Sequence, residues 1–337
     1  METNAKVKTL ITGVGGLVAA HVLRYFLENT DHEIICIDSW EHKGQPANTL
    51  KSIKGFEDRV TVITHDLNAP FTDRQKKQIG YVDYILNIAS ESHVDRSITD
   101  PVNFIKNNVN LALNMLEFAR EVKPKLFLQF STDEVYGVAK EGFNHKEWCE
   151  HLPSNPYAAS KAAQEDIAIS YWRTYGVPVM ITNTMNIYSE TQDWEKFIPL
   201  CVKKILRGEK ITIHAYPGAT KAGSRFYIHA DSLAEAVLFL TKTSLAKYPE
   251  DDRPDRYNIV GDVEVDNLTL AKTIANILGK DLDYELVDFH SSRPGHDSRY
   301  GLDGTKLANL GWKPTMLFKD KIEETVLKLK ERYEKEN

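Results

Sequence analysis

The stretch Ser131-Thr132-Asp133-Glu134-Val135-Tyr136-Gly137 sets hydroxyls beside two adjacent carboxyls, the composition of a proton-transfer site. It follows the apolar run Leu126 to Phe130, which reads as a buried parallel strand. In open α/β sheets, ligands bind at the carboxyl ends of strands. Further on, Tyr157-Ala-Ala-Ser-Lys161 puts a phenol and an ammonium at i and i+4, on one face of a helix. A phenol needs to come down by about three pKa units, roughly 4 kcal/mol, to act as a base near neutrality. A neighbouring ammonium has the right sign of charge to help. Taken singly, each stretch has a plainer reading: Asp-Glu after a strand is usually a solvated turn, and Tyr-x-x-x-Lys is common on surface helices.

These residues need a scaffold, and the chain is patterned for one. Strand-like runs at Val7 to Ile11, Glu33 to Ile37, Val60 to Thr64, Tyr84 to Ala89, Leu126 to Phe130 and Val177 to Thr182 alternate with helical segments such as His21 to Asn29, Val102 to Val122 and Ala158 to Tyr175. Such alternation predicts an α/β fold, a doubly wound Rossmann-type parallel sheet with helices on both faces. After about Met185 the pattern breaks into helix-like Lys196 to Arg207, strand-like Ile211 to Ile213 and a bend ending at Ser224. Ser232 to Leu245 and Tyr257 to Val260 look like a return to the sheet, and Leu268 to Leu278 and Lys319 to Arg332 fit a smaller lobe. The expected division is a dinucleotide domain of 1–185 plus about 225–261, and a substrate-binding α/β lobe of about 186–224 plus 262–337.

The composition narrows the field. With 337 residues, 42% apolar and 27% charged, the chain is an ordinary globular one. A net charge of -6 argues against a nucleic-acid partner. Cys36, Cys149 and Cys201 form neither a disulfide framework nor a zinc spacing, so no metal is expected. The polar start and the lack of any long apolar run predict a cytoplasmic protein with no membrane partner.

The turn Thr12-Gly13-Val14-Gly15-Gly16-Leu17-Val18-Ala19 follows the first strand and opens the first helix. Glycines there let the backbone approach a pyrophosphate, which the helix N-terminus favours. The second strand ends in Asp38, placed to hold an adenosine ribose and to disfavour a 2′-phosphate, with Ser39 beside it. NAD is therefore the expected cofactor. Asp66-Leu67, ending the third strand, suits the adenine or a solvated cap.

On these residues the chain resembles the extended short-chain dehydrogenase/reductase family, and within it the dTDP-glucose 4,6-dehydratases. The resemblance runs from Thr9 to about Pro314. It is carried by the glycine turn, Ala89-Ser-Glu-Ser-His-Val-Asp-Arg-Ser97, the Ser131 to Gly137 motif, Tyr157 with Lys161, Arg225-Phe-Tyr-Ile-His229 and Arg293-Pro-Gly-His296-Asp297. It implies an NAD that stays bound through the cycle, a nucleotide-sugar substrate and a homodimer. The long helices Val102 to Val122 and Ala158 to Tyr175, with broad apolar faces, would pair as a four-helix bundle.

The implied reaction oxidises C4 of the hexose, removes water across C5 and C6, and returns hydride to C6. Tyr157, supported by Lys161, takes the C4 hydroxyl proton. The ketone acidifies C5, where Glu134 is the base by resemblance, while Asp133 donates to the leaving C6 oxygen. Thr132 would bond the C4 oxygen, with Ser131 in support. Ala89 joins the cofactor residues; Ser92 and His93 line the site without transferring a proton. Asn186, Lys196 and Arg225 face the substrate diphosphate, Arg225 as a fork, Phe197 joins the substrate-binding residues, and Asn258, Arg293 and His296 match the nucleotide-binding lobe.

Some positions depart from the family: Ala19 and Ala20 in the glycine turn, Ile187 and Ser189 for Asn and Gly, His214 for Tyr, and Phe226 for Asp. Most fall in the substrate lobe, so they bear on the choice between dTDP-glucose and UDP-glucose more than on the reaction. A 4-epimerase or a UDP-glucuronate decarboxylase of the same fold is the alternative. The epimerase leaves the Asp-Glu pair without an obvious purpose. A non-catalytic NAD-binding sensor would be expected to have lost Tyr157, Lys161 or the carboxyl pair.

Overall fold

In the computed structural model, residues 6–41, 44–243, 252–288 and 297–337 are described. The first six strands are β1 Lys8–Thr12, β2 Glu33–Asp38, β3 Val60–Thr64, β4 Tyr84–Asn87, β5 Leu126–Thr132 and β6 Val179–Thr184. Joined by β10 Asp255–Ile259, they form a seven-stranded sheet in the order β10-β6-β5-β4-β1-β2-β3. The pairs from β3 through β5 are parallel. The strands are apolar on both faces because helices cover both, as for a doubly wound sheet. Those helices include α1 Leu17–Asn29, α2 Pro46–Ile53, α3 Asp73–Ile79, α4 Val94–Thr99, α5 Pro101–Val122 and α6 Pro156–Tyr175.

Helix starts follow their capping residues. Asp100 accepts from Asn103 N and Asn155 from Ala158 N, each followed by proline at the first helical position, where its missing N–H costs nothing. The α2 and α3 segments are short and polar, so periodicity did not reveal them; α3 declares itself only through a Thr72/Gln75 capping box.

The chain divides into two compact units. One comprises 1–135, 155–183 and 234–257; the other comprises 136–154, 184–233 and 258–337. The first unit's core packs Leu10, Ile35, Ile85, Met115, Phe127 and Ile181 between sheet and helices. The second contains β7 Asn186–Tyr188, α7 Phe197–Arg207, β8 Ile211–Ala215, β9 Ser224–His229, β11 Val263–Asp266, α9 Asn267–Leu278, β12 Tyr284–Asp288, α10 Thr305–Leu310 and α11 Phe318–Glu336. Helix α8, Ala230–Thr243, runs from the second unit into the first.

Residues 136–154, 184–185 and 258–261, and also 225–233, lie in the second unit, where the sequence pattern places them with the first. The reason for the latter is strand pairing: β9 is bracketed by β7, parallel, and β11, antiparallel, in a separate three-stranded sheet. A two-stranded parallel pair, β8 with β12, completes this unit. Its core gathers Tyr188, Ile198, Val202, Ile274, Phe318 and Leu329.

Candidate active site

The glycine turn is built as a tight cradle. Gly13 has φ +76°, and a Cβ there would stand 2.9 Å from Ala89 Cα; only glycine meets both demands. Its N–H donates to Ile37 O at 2.8 Å, and Gly16 N–H donates back to Gly13 O at 2.9 Å. Gly16 is the N-cap of α1, with Leu17 and Val18 opening the helix. Asp38, buried at the end of β2, accepts from Gly15 N at 2.8 Å and from Trp40 N at 2.8 Å. Ser39 is half-buried beside it. Trp40 has a left-handed backbone, φ 62°, held by the Asp38 bond and by its indole N–H donating to Thr64 Oγ1 at 2.7 Å. Asp66 is exposed and bonds Asn68, which makes it a solvated cap, while Leu67 is buried. Ala19 and Ala20 are buried, and Ser52 of α2 donates to Ala20 O at 3.0 Å.

The β5 exit and the start of α6 bring the expected catalytic residues together in the first unit. Thr132 Oγ1 donates to Asp133 Oδ1 at 3.0 Å, and Asn155 Nδ2 donates to Glu134 Oε2 at 3.3 Å. Tyr157, 9% exposed, has its ring edge-to-face with Phe104, and its N–H donates to Ser97 Oγ at 3.1 Å. Burial pushes the phenol above its ordinary range; the Glu134 charge adds, a hydrogen bond with Thr132 opposes, and Asp133 adds. Lys161 is buried, and its Nζ donates to Phe130 O and Gln164 Oε1, both at 2.6 Å. Burial pushes this ammonium down to about 7, opposed by the Glu165 carboxylate.

By the chain's own groups alone, then, the phenol is not brought down. Desolvation outweighs them, two carboxylates face the phenol, and the ammonium is directed at carbonyl oxygens. Besides the Lys161 ammonium, a nicotinamide ring in its oxidised form carries positive charge of the sign that favours a phenolate.

The residues fit such a cofactor. The cradle at Gly13 has no room for a side chain, a buried carboxylate ends β2, and Ser131 is 2% exposed with its Oγ lacking a hydrogen-bond partner among the described residues. That hydroxyl is a group a bound ligand would satisfy.

Other expected residues have more structural places. His93 caps α4, its Nδ1 accepting from Arg96 N at 3.3 Å, and Ser92 is exposed beside it. In the second unit Asn186 begins β7, Lys196 is the N-cap residue of α7, and Phe197 packs against that unit's core. Arg225 is 9% exposed; its guanidinium donates to the carbonyls of Ser224, Asp297 and Ser298 and lies over the Tyr300 ring at 4.5 Å. Arg225 thus clamps residues 297–300. Asn258 is fully buried, donating to His145 O at 3.0 Å and Asp303 O at 3.1 Å, while its Oδ1 lacks a hydrogen-bond partner among the described residues. Arg293 and His296 lie outside the described residues.

Sequence reasoning missed three supporting residues. Asn155 carried a capping signal, but nothing local signalled its second bond to Glu134. Ser97 supports Tyr157 across sixty residues of chain, and Gln164 is an ordinary helix residue until Lys161 is seen beside it. Among the described residues, no group of His, Cys, Asp and Glu could hold a metal, and no helix is long and apolar enough to cross a membrane.

Comparison with known proteins gives a match to the family model described as GDP-mannose 4,6 dehydratase over residues 10–325. A probable dTDP-glucose 4,6-dehydratase from Sinorhizobium fredii is 33% identical, covering 95% of this chain and 91% of the relative. Among solved structures, DesIV, a dTDP-glucose 4,6-dehydratase from Streptomyces venezuelae with NAD and TYD bound, superposes with TM-score 0.85 at 31% identity, covering 97% of this chain and 98% of that one. A Thermus thermophilus UDP-glucose 4-epimerase in complex with NAD has TM-score 0.84 at 24% identity, covering 96% and 99%; this likeness is one of fold.

Proposed function

Because this chain belongs to the GDP-mannose 4,6 dehydratase family, we propose that it is an NAD-dependent dehydratase acting on dTDP-glucose, with UDP-glucose as the second candidate, and forming the 4-keto-6-deoxy sugar. The observation that carries this reading is the gathering of Thr132, Asp133 and Glu134 with the buried phenol of Tyr157, which feels both carboxylates. An epimerase of this fold would use the phenol and leave the carboxyl pair idle.

NAD, when bound, supplies the oxidant for C4 and the reductant for C6. The glycine turn, Asp38 and Ala89 would hold it, with Ser131 at the β5 end. Tyr157 takes the proton from the C4 hydroxyl, and Thr132 orients that oxygen. Glu134, held by Asn155, removes the proton at C5, which the neighbouring ketone has acidified. Asp133, bonded by Thr132, gives its proton to the C6 oxygen, which leaves as water. Two carboxyls side by side suit opposite duties, because one charge favours a proton on the other.

In the second unit, Asn186 and Lys196 are the groups proposed to meet the diphosphate. We also propose a homodimer. Val102, Ile105, Val109 and Leu113 fall on one stripe of α5, with Val102 60% and Leu113 38% exposed. A stripe of this kind, next to α6, suits a two-fold four-helix bundle.

Incubation with dTDP-glucose, followed by mass analysis of the sugar, tests the activity. Loss of one water supports dehydration; an unchanged mass with inverted C4 would establish the epimerase instead.

A further inference from the structure

Lys161 is held by a side chain that the proposed mechanism does not use. Gln164, one turn along α6 and fully buried, accepts from Lys161 Nζ on its Oε1 at 2.6 Å. The same oxygen accepts from Gln129 Nε2 at 3.1 Å, and Gln164 Nε2 donates to Asn108 O on α5 at 2.5 Å. Gln129 is itself fixed, its Oε1 accepting from Asn87 Nδ2 at 2.9 Å. Asn87 Oδ1 accepts in turn from Thr12 Oγ1 at 3.1 Å. Thr12 Oγ1 accepts the N–H groups of Ile88 and Ala89, each at 3.0 Å.

The line therefore runs from the glycine turn, across β1, β4 and β5, to the ammonium. Thr12, Asn87, Gln129 and Gln164 are all 0–1% exposed. Its polarity is determined at each step. Turning the Gln164 amide over would aim an NH2 group at the ammonium and a carbonyl at the Asn108 carbonyl, two repulsive contacts in a site closed to solvent. Four buried amides and hydroxyls in sequence are an expensive way to fill a core that apolar residues would fill as well. Their common endpoint is the Lys161 ammonium.

We propose that Gln164 is a positioning residue for the dehydratase reaction, whose carbonyl, oriented through Gln129, Asn87 and Thr12, holds the Lys161 ammonium charged and in place one turn of α6 from Tyr157. The inference rests on the proposed dehydratase reading, with Lys161 as the charge that supports Tyr157. Hydrogen bonding to the charged form favours that form, and burial works against it at this site. Among the described residues, the charge acting on Lys161 is the Glu165 carboxylate. Glu165 on α6 is paired with Arg256 of β10 at 2.6 Å, and Asp133 and Glu134 follow the end of β5. Strand β5 and helix α5 otherwise present the Phe130 and Asn108 carbonyls and Gln129.

The test uses the NAD-loaded enzyme and the pH dependence of kcat for dehydration. Gln164→Met keeps the length and removes the acceptor; Gln164→Glu keeps the acceptor and adds charge. With bound NAD retained, Gln164→Met is expected to lose about tenfold or more in kcat, the worth of one hydrogen bond to a charged group. Its descending alkaline limb should move to lower pH by about one unit, and Gln164→Glu should move that limb to higher pH. A limb unmoved in Gln164→Glu overturns the inference even where Gln164→Met folds poorly, because a residue that only fills space has no reason to shift the titration in one direction with one replacement and oppositely with the other. Lys161→Met separates the two readings. Should it keep wild-type turnover, the role assigned to Lys161 fails. Should it be inactive while both Gln164 limbs stay put, only the role of Gln164 fails.

Discussion

The Arg256 guanidinium on β10 meets the Glu165 carboxylate on α6 at 2.6 Å, with the two side chains 1% and 0% exposed. Glu165 also accepts from Asn183 Nδ2 at 2.7 Å, so one carboxylate ties together α6 and the sheet strands β6 and β10. Breaking a buried pair leaves a charge that nothing compensates.

Arg256→Met is accordingly expected to destabilise the protein by about 3–5 kcal/mol, read as a shift in the urea midpoint. The double replacement Arg256→Met with Glu165→Gln should recover a large part of that loss, since no unpaired charge remains. A single variant as stable as wild type would show that the pair contributes nothing to holding β10 in the sheet.

Asp133→Asn combined with Glu134→Gln separates the two halves of the proposed reaction. Both replacements are isosteric and leave Tyr157, Lys161 and the glycine turn intact. Bound NAD and oxidation at C4 should survive, while release of the 4-keto-6-deoxy product falls on the order of a hundredfold or more. Absorbance of reduced NAD follows the first half and mass analysis of the sugar the second. Wild-type product formation would remove both carboxyls from the mechanism.

Lys161 gives stability a specific pH dependence. Burial brings its pKa down to about 7 in the fold, from an ordinary 10.5. Between these values the unfolded chain binds the extra proton, so unfolding becomes harder as pH rises, by up to about 1.4 kcal/mol per unit. Below about 7 the lysine is charged in both states and its slope disappears. The stability difference between wild type and Lys161→Met, measured by urea unfolding from pH 7 to 9, should therefore grow in favour of wild type. A constant difference would mean that the ammonium keeps its ordinary pKa in the fold.

The exposed stripe on α5 predicts what disrupts association. Wild type should sediment at twice the mass of the 337-residue chain. Val102→Glu with Leu113→Glu should sediment at the single-chain mass with helix content unchanged, because buried like charges across a two-fold axis repel. A variant that remains at twice the mass locates the interface elsewhere.

Much of the first unit was legible because β and α periods alternate cleanly there. Val60–Thr64 was placed to the residue, and α5 and α6 to within two at their starts. The small strands β7, β9, β11 and β12 were not legible, since three to six residues with mixed burial give no period and their partners lie far along the chain. At the site, residue types announced the phenol, the ammonium and the carboxyl pair. The sign of the Tyr157 shift was not announced, because desolvation depends on what surrounds the ring. Nor did the sequence announce that Arg225 and Asn258 donate to carbonyls within their own unit, since those partners lie far along the chain.

The strand order carries a consequence for synthesis. Strand β10, the last in chain order, joins the seven-stranded sheet after some fifty residues (184–233) have gone to the other unit. A nascent chain that has emerged only through Thr184 exposes β6 as an unpaired border, with Glu165 still awaiting its arginine. Such a border invites pairing with other chains. The enzyme should thus tolerate late truncation at the α11 end far better than any premature stop before Ile259, and its yield in cells should track chaperone capacity during the interval when that border is open.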